Sequence, residues 1–128
     1  MRNKAKLIET ILADAKIDGK YYEPETGNTC VIGGLAQSAG LDMREWYIEY
    51  SHNNYMYVNY LYPTSPLITS IIREYGLTVE QMNTLQMIND AYHNTIAFAP
   101  EENNRRIEER HSSLVAQVNT WEEREEIE

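Results

Sequence analysis

One cysteine and three histidines make up most of the reactive chemistry this chain carries. Cys30 falls where a small helix should begin, and the positive end of a helix can lower a thiol's pKa and make it nucleophilic. Such a thiol needs a base and an orienting amide or carboxylate gathered around it in space. His93 with Asn89 or Asp90 offers those types, and Asn89 and His93 are four residues apart, on one face of a helix. That makes Cys30, His93, Asn89 and Asp90 the candidate set for a thiol-dependent hydrolase or transferase. A second reading of Cys30 is packing, since free cysteine is among the residue types most often buried. Histidines also stand at His52 and His111, but no pair of His, Cys or carboxylate residues has metal-ligand spacing. Neither a metal nor a cofactor is expected.

A second constellation is aromatic. Tyr47, Tyr50, Tyr55, Tyr57, Tyr60 and Tyr62 are six of the chain's ten tyrosines. Tyrosine gives broad contact area at low entropic cost with a polar tip, which suits recognition surfaces. Flanked by Asn53, Asn54 and Asn59, these rings could grip a protein partner or stack on a planar nucleotide. They could equally wall a small core.

The elements that must position these groups follow from caps and periodicity. Leu7, Ile8, Ile11, Leu12 and Ala15 mark one stripe of a helix over about 4–16, with Asn3 as N-cap. Tyr21-Tyr22 and Thr29 to Ile32 have strand character, and Pro24-Glu25-Thr26-Gly27-Asn28 between them is turn chemistry, so a β-hairpin is expected there. Gly33-Gly34 then allows close backbone approach, and Gly40 stops the short helix after Cys30. Asp42 with Glu45, Ser65 with Pro66, and Thr78 with Gln81 open three further helices, and Gly76 closes the middle one. Residues 51–63 fit a strand or a helix. Pro100 with Glu101-Glu102 starts a last helix. Its Ile107, Leu114 and Trp121 recur every seven residues with Val118 between, a seam that could pair residues 100–121 with a second copy.

Composition bounds the class. A length of 128 residues suits one domain, here 1–121 with an acidic, fraying 122–128 end, and 42% hydrophobic with 24% charged residues is ordinary for a globular chain. A single cysteine suits a reducing compartment, no apolar run approaches a membrane span, and the N-terminus lacks a signal-peptide core, so a cytoplasmic location is expected. The net charge of −9 is uneven: residues 1–20 carry +2, residues 21–100 carry −6 and residues 101–128 carry −5. Such a surface repels phosphate backbones, making direct nucleic-acid binding a poor fit and a basic protein partner a good one.

The opening helix, the Gly-x-Tyr hairpin, Cys30-Val31-Ile32-Gly33-Gly34-Leu35 and the later Ile88-Asn89-Asp90-Ala91 together resemble a diffuse set of small uncharacterised bacteriophage and bacterial proteins. In them a Cys-x-x-Gly-(Ala/Gly)-Leu motif follows a hairpin and an Asn-Asp-Ala lies downstream. The resemblance covers residues 4–40 and 76–98. It implies a phage-type accessory protein that binds and inhibits a host defence or nucleic-acid-processing protein. The expected fold is α+β and helix-dominated, a small antiparallel hairpin packed on about five helices, with all-α as the alternative.

Overall fold

The computed structural model describes residues 1–50, 65–95 and 97–124. Six helices occupy them: α1 (Lys4–Ala13), α2 (Val31–Ser38), α3 (Met43–Tyr50), α4 (Pro66–Tyr75), α5 (Val79–Asp90) and α6 (Pro100–Asn119). The organising element is α2. Each residue from Val31 to Ala36 is buried, as a helix apolar all round must be. Helices α1, α3, α4 and α5 all pack against it, and α6 closes the bundle by lying on α1 and α5. Leu7, Ile11, Ile32, Leu35, Ile68, Ile71, Met82, Leu85, Leu114 and Val118 fill the core between them.

The described residues contain no β-strand, which overturns the α+β expectation. Where a hairpin was expected there is a tight loop with one isolated antiparallel bridge, Tyr22 to Thr29. Within it Glu23 N donates to Asn28 O (2.8 Å), and Gly27 N to Glu23 O (2.7 Å) with Gly27 at φ +76°. The ladder cannot extend, because the Thr29 carbonyl accepts from Lys16 N and Ile17 N instead. On the far side Val31 and Ile32 enter α2. Tertiary hydrogen bonds at its first turn override their β-branched preference.

The caps of α4 and α5 are as the sequence indicates. Ser65 Oγ accepts from Ile68 N at 3.3 Å, Gly76 closes α4 at φ +63°, and Thr78 and Gln81 form a reciprocal capping box at 2.9 and 3.0 Å. Asp42 Oδ1 caps α3 by accepting from Arg44 N and Glu45 N. Asn3 differs. It sits in left-handed geometry at φ 55° with no side-chain cap, and its amide donates to Glu74 O at 2.9 Å. The free N–H of Lys4 is taken by the Glu123 carboxylate from the opposite end of the chain. Helix α1 also stops three residues earlier than expected, at Ala13, because the amides of Lys16 and Ile17 and the carbonyl of Ala15 are drawn away to other elements.

Leu114 and Val118 of the seven-residue seam are buried in the chain's own core, with Ile107 and Trp121 partly covered. Residues 51–64, and with them Tyr55, Tyr57, Tyr60, Tyr62 and His52, lie outside the described residues, as does the side chain of Tyr50. No described helix is long and apolar enough to cross a membrane.

Candidate functional site

Cys30 is the N-cap of α2, and its surroundings determine what its sulfur can do. Gly33 N donates to Sγ at 3.5 Å, and the thiol lies 3.6 Å from Gln86 Oε1, which accepts from it. The residue is fully buried. Burial pushes the thiol up to about 12 from an ordinary 9, and the Asp90 charge adds to the rise. Amides of Gly33 and Ile32 and the charge of Arg110 pull the other way and lose. The helix N-terminus that could have produced a thiolate is thus outweighed by desolvation.

The candidate partners of Cys30 divide between two places. Asn89 is buried, and its amide bridges two elements: Oδ1 accepts from Val31 N at 3.0 Å and Nδ2 donates to Ile17 O at 2.9 Å. It thereby caps the first turn of α2 from α5. Asp90 Oδ1 collects Gln86 Nε2 at 2.9 Å, Asn89 Nδ2 at 3.1 Å and Gly19 N at 3.3 Å. His93 is elsewhere. Its ring is 62% exposed, pairs through Nδ1 with Asp18 Oδ2 at 2.7 Å, and meets the edge of Phe98, over which Arg106 also stacks at 4.5 Å. Among the described residues no hydrogen bond joins His93 to Cys30.

The centre of this polar region is Arg110, which the sequence analysis did not single out. Its side chain is fully buried on α6, and all three of its nitrogens are used. Nε donates to Asn89 O at 3.0 Å, Nη1 to Ala15 O at 3.2 Å, and Nη2 to Tyr92 O and to Asn94 Oδ1. Burial lowers the guanidinium's affinity for its proton, and the charges of Asp18 and Asp90 only partly offset this. His111 beside it places Nε2 at 3.1 Å from the same Ala15 carbonyl. The signal in the sequence was positional: Arg110 stands four residues before Leu114 and eight before Val118, a cation in line with the core stripe.

Of the tyrosines assigned to recognition, Tyr47 is described. It is half-buried and tilts against Tyr22 with centroids 5.8 Å apart. Tyr21, Tyr22 and Tyr75 belong to the core, Tyr21 edge-on to Trp46 at 5.7 Å. An open groove of about 520 Å³ is lined by Met1, Thr78, Gln81, Trp121 and Arg124, but the polar groups Thr78 and Gln81 offer are already engaged in their capping box. No trio of His, Cys, Asp or Glu among the described residues could hold a metal ion. No family model, curated protein or solved structure matches this chain.

Proposed function

We propose that this protein acts by binding: a small acidic accessory protein of phage type that occupies a basic, nucleic-acid-processing or defence protein of a bacterial host, in the cytoplasm. The observation that carries this reading is the surface charge. Exposed carboxylates outnumber exposed cations, and one cation, Arg110, is interior. Helix α3, with Glu45, Ile48 and Glu49 exposed, leads directly into the tyrosine-rich segment. Acidic groups steer a basic partner and aromatic anchors hold it. The buried, protonated Cys30 gives a thiol mechanism little support.

The test is capture from bacterial lysate, with the wild type and a Tyr55→Ser/Tyr57→Ser/Tyr60→Ser variant compared under identical conditions. The expected result is a captured protein that the variant loses without losing its fold, and whose association slows as salt rises from about 0.05 to about 0.5 M. A variant that unfolds while its folded fraction still binds, with no salt dependence, defeats the reading.

A further inference from the structure

The segment 14–20 between α1 and the loop is held almost wholly from outside itself. Ala15 O receives Arg110 Nη1 and His111 Nε2, Ile17 O receives Asn89 Nδ2, and Asp18 receives Asn94 N (3.1 Å) and pairs with His93. Lys16 N and Ile17 N donate to Thr29 O, and Gly19 N to Asp90. Two cationic-type side chains, Arg110 and His111, therefore share a single carbonyl. A carbonyl only accepts, so His111 carries its proton on Nε2 and leaves Nδ1 as the free basic site. We propose that His111 makes the 14–20 segment an acid-released latch: protonation of Nδ1 places a second positive charge against Arg110 and loosens their joint hold on Ala15.

The groups around the imidazole support this direction. Arg110 on α6 and Lys16 on the segment oppose a positive charge there, while Glu108 on α6 and the Ala15 carbonyl favour it. Burial is the largest influence, and the net effect holds His111 below its ordinary 6.5. The neutral ring is therefore the form the folded chain prefers. Its contribution to stability is present above pH 6.5 and is lost as pH falls through the folded pKa. Arg110 keeps its charge throughout, so the charged ring is accommodated by opening of the segment, which relieves the burial and the repulsion together. Release would also free the Gly19 contact with Asp90 and the Lys16 and Ile17 contacts with Thr29, exposing the edge of α2's first turn.

Hydrogen exchange read by NMR tests this in the full chain. Between about pH 7.5 and about pH 5, the protection factors of Lys16, Ile17 and Gly19 amides should fall about tenfold or more relative to Ile71 in α4. His111→Gln, which can still donate to Ala15 but takes no proton, should hold those protection factors level. His93→Gln should leave the fall intact, separating the two imidazoles that meet this segment. A fall of equal size in His111→Gln, or none in the wild type, overturns the proposal. Should His111→Gln fail to fold, the His111 ring resonances of the wild type decide. A titration midpoint below the ordinary histidine value, moving together with the Ala15 and Lys16 signals, supports the latch, and one at or above that value overturns it.

Discussion

At Cys30 two influences on one sulfur can be ranked. The end of a short helix and two backbone amides favour a thiolate, while complete burial favours the thiol, and burial prevails. The sulfur then serves as a weak acceptor for Gly33 N and a weak donor to Gln86, wholly buried in the core. Native protein at about pH 8 should therefore resist alkylation, reacting only through global opening, because both ionisation and access are withheld. Cys30→Ala should lower stability by about 1 kcal/mol or more through the cavity it leaves, measured by urea unfolding. Rapid native-state alkylation would show that the sulfur is reachable after all.

At the level of elements, α2 exists because its glycines let neighbours come close. A Cβ on Gly33 would fall on the Tyr21 carbonyl oxygen, and one on Gly34 would lie 2.7 Å from Asp14 Cβ and 3.1 Å from Thr29 Oγ1. Both residues are helical, so space rather than backbone strain dictates glycine here. Gly33→Ala should cost about 1–3 kcal/mol in chemical denaturation, and more than Gly34→Ala, since a carbonyl fixed in the chain yields less than a side chain. Gly19→Ala is the contrasting case: nothing lies within 4 Å, and its φ of +82° alone opposes the change. Wild-type stability in both α2 variants would remove the close-packing account.

Helix ends with local chemistry, such as Ser65-Pro66, Thr78 with Gln81, and Gly40 and Gly76, were legible because cap and turn residues act over three or four positions. What was not legible depends on distant partners. The Tyr22–Thr29 flank looked like a strand, but its carbonyl was claimed by residues 16 and 17, and Asn3 gave up its cap role to Glu74. The Asn-Asp pair at 89–90 was recognised as chemically suggestive, yet its use is to fasten α5 to α2 and to the 14–20 segment. Spacing could not reveal that His93 faces Asp18 and not Cys30, since a histidine's partner is set by the fold and not by its own helix.

For the molecule as a whole, the absence of a sheet from the described residues leaves side chains to supply many of the hydrogen bonds that join distant parts of the backbone. Arg110 is the principal one, linking α6 to the end of α5 at Asn89, to the following turn at Tyr92 and Asn94, and to the segment after α1 at Ala15. A buried guanidinium is tolerated only when its donors are filled, and here three backbone carbonyls and the Asn94 side chain fill them. Arg110→Met should therefore cost about 3 kcal/mol or more in equilibrium unfolding, well beyond the loss expected from its apolar stem. Lysine is not a substitute, because a single ammonium cannot span carbonyls that the planar fork reaches in different directions. Arg110→Lys should recover little of the lost stability, and the same variants should weaken protection at Lys16 and Ile17 together with that of α5's last turn. If Arg110→Met instead unfolds at the wild-type denaturant concentration, the helices hold together through their apolar faces alone and the buried charge is not a structural bond.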